Sequence, residues 1–241
     1  MKLDLPVDLV TINCNNIEDG KNALEYSSKF IEFNNIYYFT DAEVEGNFEI
    51  IKINKIDHIR EYNNFILKLK DHIKSPYVLV IQDDGHVLNP NIWTDEFLKY
   101  DYIGAPWPGT KKWKKRWDRY GKKYSKKIKY HSKFNRIGNG GFSLRSKKFL
   151  DYSSQFNFTE ILAEDIFLTL YNYDKAKDYG INFPSIETAL KFSNETPLNG
   201  RNHKKENHSI DLDPKLHFGW HGKKFKNSDY LLNLKNEKNK N

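Results

Sequence analysis

The sequence predicts an α/β fold, a Rossmann-like and mostly parallel sheet flanked by helices. Two observations carry that expectation. Apolar, β-rich runs alternate with stretches of helical period through residue 90, the pattern of a parallel sheet with helices on both faces. A chain of 241 residues with 38% hydrophobic and 15% aromatic content can also bury one large core despite its many Lys and Asn.

In chain order, "VDLVTINC" (7–14) reads as a buried strand. "EDGKNALEYSSKFIEF" (18–33) follows as a helix, with Ala23, Leu24, Phe30, Ile31 and Phe33 at broadly helical spacing. "IYYFTD" and "FEIIKI" are β-rich runs, and "IDHIREYNNFILKLKDHI" (56–73) puts Ile59, Tyr62, Phe65, Ile66, Leu69 and Ile73 on one helical face. "YVLVIQDD" comes after Ser75-Pro76 as a further strand. Past residue 90 the reading is a short helix in "IWTDEFLKY", a strand in "DYIGAPW", a turn and strand in "NGGFSLRS" and a helix in "EILAEDIFLTLYNYDKA". One domain is expected over 1–225, with a basic, mobile loop at 109–136, polar loop beyond 194 and a frayed polar tail at 226–241.

The net charge of +7 is concentrated in one place. Residues 111–136 hold thirteen Lys and Arg against Asp118 alone, so the rest of the chain is net acidic. Trp113, Trp117, Tyr120, Tyr124 and Tyr130 interleave with those cations. Three readings are open: a solvated face, the commonest fate of a charge run; a loop for an anionic ligand; or a stacking platform for single-stranded nucleic acid. A single cysteine, Cys14, excludes an intramolecular disulfide and reads as a plain strand residue in a reducing compartment. With no apolar stretch of signal-peptide length and no run of about 18 apolar residues, a cytoplasmic protein is expected, at most peripheral to a membrane surface.

The chemistry concentrates where strands end. In open α/β sheets ligands bind beyond the carboxyl ends of the strands, and "YVLVIQDDGH" delivers Asp83, Asp84 and His86 to that edge. Adjacent carboxylates repel unless a cation lies between them, and mixed oxygen and imidazole ligation suits Mn²⁺ or a comparable divalent ion; the alternative is a solvated Asp-Gly turn. Glu164 and Asp165 interrupt an apolar helix in "LAEDIFL", either as a base in an apolar setting or as acids favouring a helix N-terminus. Gly138, Gly140 and Gly141 in "RIGNGGFSLRS" make no phosphate-binding loop, since no Gly-Lys-Ser/Thr follows; they mark a hairpin turn or close approach of a ligand. His217 and His221 in "LHFGWHG" are each structural residues or late metal ligands.

Taken in order, "IQDDGH", "YDYIGAPWP", "GNGGFSLRS", "AEDIFL", "ALKFSNE" and "FGWHG" resemble a family of largely uncharacterised glycosyltransferases of GT-A fold. The resemblance covers about residues 56 to 222, and its specific part is "DYIGAPWP" with "GNGGFSLRS". It implies a divalent metal, Mn²⁺ first and Mg²⁺ as the alternative, held by Asp84, His86 and His221 in an Asp-x-His variant of the family's acidic turn. It implies Asp165 as general base in an inverting transfer, with Glu164 supporting it or orienting the acceptor. Asp83 would hold sugar or ribose, Thr11 and Asp41 the nucleoside, and Arg60 the diphosphate. Trp107, Asn139, Gly140 and Gly141 would line the sugar and acceptor. The implied partners are a nucleotide-sugar donor, UDP being the expected nucleotide, and a glycan or other hydroxyl acceptor. A nucleotidyltransferase on a related sheet and a nucleic-acid module built on 111–136 are the rival readings.

Overall fold

Leu9 and Val10 are adjacent in the chain, both fully buried, and belong to two different apolar clusters. Because successive strand residues point to opposite faces, the strand that carries them must be covered on both sides. The computed structural model, which describes residues 3–29, 31–157, 162–196, 198 and 214–222, shows how. Strand β1 (Leu3–Ile12) lies inside a six-stranded sheet, paired in parallel with β2 (Ile31–Thr40) and β4 (Tyr77–Ile81). β3 (Glu49–Lys52) adds to β2 in parallel, β5 (Gly85–Val87) leaves for a second sheet, and β6 (Tyr102–Gly104) and β7 (Phe142–Ser146) complete the first in the order β3-β2-β1-β4-β7-β6. β7 runs antiparallel to both of its neighbours. The expected α/β class and mostly parallel, helix-flanked sheet are therefore present.

Helix α1 (Ile17–Ser28) buries Ala23 and Leu24 against one face, and α2 (Ile59–Leu67) buries Ile66 and Leu67. The α1 helix stops before Ile31 and Phe33, which the expected helix over 18–33 had included. These two alternate with exposed Glu32 and open β2, so strand pairing with β1 wins over helical spacing. Phe30 lies outside the described residues. No helix separates β2 from β3. The four-residue β3 overlaps only the end of β2, so the chain retraces about 13 Å, a span the eight residues between the strands cover without a helix. The 56–73 helix is shorter than expected: α2 begins at a capping box in which Glu61 reaches back to the His58 amide, leaves Ile59 exposed, and gives way to a 3₁₀ turn at Leu69–Asp71.

Between β6 and β7 the chain makes a long excursion, and here the segment expected as a loop, 109–136, is mostly helical. It forms two helices, α3 (Lys111–Lys123) and α4 (Lys126–His131). Trp113 and Trp117 stand four residues apart on one face of α3 and, with Ile128 of α4, are buried in the main core. That stripe gives the segment its helical amphipathicity in spite of the lysines. Buried His131 anchors α4, its Nδ1 lying 2.6 Å from the Leu170 carbonyl oxygen and its Nε2 3.0 Å from Asp174. A turn of the chain then returns through the Pro106–Ile137 bridge to β7.

After β7 come α5 (Lys147–Ser154), α6 (Glu164–Ile166), a π-helical turn at Phe167–Tyr171, α7 (Tyr173–Asp178) and α8 (Ile186–Phe192). The second sheet is small and non-local: β9 (Gly219–His221) lies between β5 and β8 (Ser193–Asn194) in the order β5-β9-β8. The tail at 226–241, and most of the loop expected beyond 194, lie outside the described residues. Among those that are described, no helix is long and apolar enough to cross a membrane.

Candidate active site

The small sheet gathers three distant segments at the carboxyl edge of the large one. Gly85 pairs with His221 across β5 and β9, and Asn194 pairs with Trp220 across β8 and β9. Asp84, just before β5, and Glu195, just after β8, are thereby brought to the same end as His221. Nε2 of His221 lies 3.1 Å from Oδ1 of Asp84 and 3.1 Å from Oε1 of Gln82, and its Nδ1 lies 3.6 Å from Oε1 of Glu195. Burial works against an imidazolium here, but the hydrogen bond to Asp84 and the carboxylate charges of Asp84 and Glu195 outweigh it and raise the His221 pKa to about 10. The cluster is thus organised around one positive charge.

"GNGG" supplies the wall behind it. The Asn139 side-chain amide donates to Glu195, and its oxygen accepts from the Gly141 amide at 3.1 Å. A Cβ on Gly141 would lie 2.1 Å from His221 Nε2, so the ring rests directly on that glycine. The neighbouring Gly140 amide donates to Oδ2 of Asp165 at 3.2 Å, and the Ile166 amide to Oδ1 at 2.6 Å. Desolvation first, and the charge of Glu164 second, push the Asp165 pKa up to about 8 against those two donors. Glu164 itself is buried at the first turn of α6 and receives Nη2 of the fully buried Arg145 at 2.7 Å, while Arg145 Nε donates to Ser143. Glu164 and Asp165 therefore do sit at a helix N-terminus, yet neither is a solvated acid.

Several expected site residues stand elsewhere. His86 pairs with Trp220, so it projects from the face of the small sheet opposite Gly85 and His221, and its ring packs edge-on against Tyr26 of α1. Thr11 is buried within β1, its hydroxyl donating to the Ile81 carbonyl at 2.9 Å, a tie between neighbouring strands. Trp107 is 4% exposed, wedged between Trp117 and Gly138, and presents no face to a sugar. Asp83 does reach the edge and accepts from Asn16 at the start of α1 at 2.8 Å. Asp41 is exposed just past β2, and Arg60 is exposed on the first turn of α2. His217 is structural: buried, with Nδ1 2.6 Å from the Leu190 carbonyl oxygen. Sequence reasoning gave no role to Glu195, Gln82 or Arg145. The only signal for Arg145 was a cation in an otherwise apolar strand, and for Glu195 its place in "ALKFSNE".

Among the described residues, no group of three or more His, Cys, Asp or Glu side chains is arranged to hold a metal ion. Of the three residues expected as metal ligands, the fold brings Asp84 and His221 together and turns His86 to the other face of the small sheet.

The chain belongs to the family described as "Protein of unknown function (DUF5672)", whose model matches residues 46–209. The match includes Asp84, Asn139, Asp165 and Glu195 and ends before His221. No curated protein matches the chain. Among solved structures it is similar to the galactosyltransferase LgtC in complex with donor and acceptor sugar analogs, at 14% identity and a TM-score of 0.44, covering 89% of this chain and 86% of that one. An active-site mutant of LgtC is similar at 16% identity and a TM-score of 0.43, with coverages of 89% and 86%. The bifunctional IspDF from Campylobacter jejuni is similar at 14% identity and a TM-score of 0.43, covering 76% of this chain and 50% of that one.

Proposed function

We propose that the protein is a glycosyltransferase that moves a sugar from a nucleoside-diphosphate donor, UDP being the expected nucleotide, to an acceptor hydroxyl with inversion. One observation supports this most: the Gly140-Gly141 dipeptide joins two kinds of chemistry, Asp165 on the Gly140 amide and His221 against Gly141. A carboxylate whose pKa is raised to about 8 is a stronger base than an ordinary aspartate, and it stands beside a cluster organised to hold positive charge.

In this reading Asp165 takes the proton from the acceptor hydroxyl as its oxygen bonds to the anomeric carbon. The bond from that carbon to the diphosphate oxygen breaks, and its electron pair leaves with the nucleoside diphosphate. Asp84 and His221 would hold a divalent cation, Mn²⁺ first, which when bound supplies charge neutralisation for the leaving group. The Gly140 and Ile166 amides fix both oxygens of Asp165. Glu164 acts through Asp165, because its own carboxylate is engaged by Arg145. Asp83 and Asp41, both at the sheet edge, are the remaining candidates for ribose and base.

The test is a thermal-shift panel of nucleotide-sugars and nucleoside diphosphates with and without Mn²⁺, followed by product analysis. A ligand at a hundred times its dissociation constant adds about 2.7 kcal/mol, which moves the midpoint of a chain this size by roughly 5 to 10 °C. Metal-dependent stabilisation by one nucleotide family, and release of nucleoside diphosphate on transfer, are expected. Release of pyrophosphate would mean nucleotidyl transfer instead and would overturn the proposal.

A further inference from the structure

The tryptophans of the basic segment belong to the core, but four cations on one face of α3 form no ion pair among the described residues. Lys112, Lys115, Arg116 and Arg119 stand at positions i, i+3, i+4 and i+7 along α3, so they share one face. Like charges at that spacing repel and weaken a helix. Among the described residues none of the four makes a salt bridge, whereas Lys127 and Lys129 of α4 pair with Asp174 and Asp118. Arg116 is held in place by stacking, 4.6 Å from the Trp113 ring centroid and 5.5 Å from that of Tyr120.

This face lines a cavity of about 430 Å³ together with Trp113, Glu195 and Thr196. That volume lies within the range of about 300 to 1,000 Å³ typical of small-molecule sites. Glu195 is the carboxylate that faces His221 and receives Asn139, so the cavity opens onto the candidate active site. It does so from the β6–β7 side, across the site from β1, β2 and β3, where the parallel strand ends offer the crevice for a nucleotide.

We infer that the α3 face is the acceptor-binding wall of the active site and selects an anionic acceptor, a sugar carrying a phosphate or carboxylate group, by its Lys112, Lys115, Arg116 and Arg119 cations. This rests on the proposed glycosyl transfer for the word acceptor, while the anion site itself stands on the cavity and its charges. A single-stranded nucleic acid fits less well: Trp113 and Trp117 are buried, Tyr120 and Tyr124 are partly buried against the core, and the exposed Tyr130 does not line this cavity, so no row of open rings accompanies the four cations.

The experiment titrates the full chain with glucose 6-phosphate, glucuronate, neutral glucose and UDP by calorimetry, at low and raised NaCl. It is repeated on the K112Q/K115Q/R119Q variant, which keeps Arg116 on its aromatic support, and on the single K115E variant as a milder change. The anionic sugars are expected to bind about tenfold or more tighter than glucose, to weaken with salt, and to lose that advantage in both variants while UDP binding is unchanged. Equal binding of anionic and neutral sugars, or variants that weaken UDP as much as glucose 6-phosphate, would overturn the inference; so would an oligothymidylate that outcompetes the sugar phosphate. If UDP fails to bind even with Mn²⁺ but the anionic sugars behave as expected, the transferase reading fails and the anion site stands.

Discussion

Gly141 and His221 are in such close contact that a methyl group on the glycine would overlap the imidazole, 2.1 Å from Nε2 and 2.3 Å from Cε1. The φ of Gly141 is not in the left-handed region, so alanine is acceptable to the backbone, and the whole effect of Gly141→Ala falls on the ring. His221 must swing away from Asp84 and Gln82. The expected outcome is a loss of about 1 to 3 kcal/mol, as for overpacking elsewhere, together with loss of Mn²⁺-dependent donor binding. Calorimetric titration of the variant measures both; an unchanged metal response would show that His221 is not the group that matters.

His221 also sets a pH dependence in the metal-free protein. Its folded pKa of about 10 is above the unfolded value of 6.5, so the protonated ring favours the folded state. That contribution is fully present below pH 6.5 and is lost as pH rises through about 10. With a chelator present, the stability gap between wild type and His221→Gln should therefore be widest at and below about pH 6.5, shrink as pH rises above it, and close toward pH 10. Denaturant titrations at a series of pH values test this, and a gap that widens with pH would contradict it.

For Asp165 the sign leads to a different result. Its folded pKa of about 8 exceeds the unfolded 3.8, so the folded state binds the extra proton and stability falls as pH rises from about 4 to about 8, then levels off. Asp165→Asn removes this decline and should melt higher than wild type at pH 8. The same substitution should cut transfer by about 10² to 10⁴, the usual worth of a general base, while nucleotide binding persists. Wild-type kcat/KM should rise with pH through about 8 as the carboxylate ionises. A fully active Asp165→Asn protein would remove Asp165 from the proton transfer.

Much of this was legible in the sequence because the informative residues follow recognisable local structure. The strand before Asp83 and Asp84 is continuous and apolar, and residues beyond a strand end are placed by the sheet itself. Where pairing is non-local the sequence is silent. Glu195 joins His221 only because β9 inserts between β5 and β8, and no local pattern announces a three-residue strand between such distant partners. His86 shows the same limit: its identity suggested a ligand, but its register opposite Trp220 decides the face it occupies. In the basic segment the lysine count concealed the Trp113 and Trp117 spacing that makes it helical. Trp107 was misjudged for the reverse reason, since an aromatic beside glycines serves a core as readily as a sugar.

Arg145 and Glu164 offer a last separation of architecture from chemistry. Both are buried, joined at 2.7 Å, and Arg145 also lies 5.4 Å from the Tyr102 ring centroid. Removing one partner leaves the other charge buried, at a cost of about 3 to 5 kcal/mol. Glu164→Gln keeps the shape and an acceptor oxygen for Arg145 but deletes the negative charge that helps raise the Asp165 pKa. The expected result is a destabilised protein whose activity-pH profile shifts to lower pH, because Asp165 then ionises more readily. A purely structural Glu164 would lower stability and leave that profile in place. Replacing both partners with methionine should recover stability relative to the single variants, as buried pairs exchanged for apolar side chains often do, without restoring the original profile.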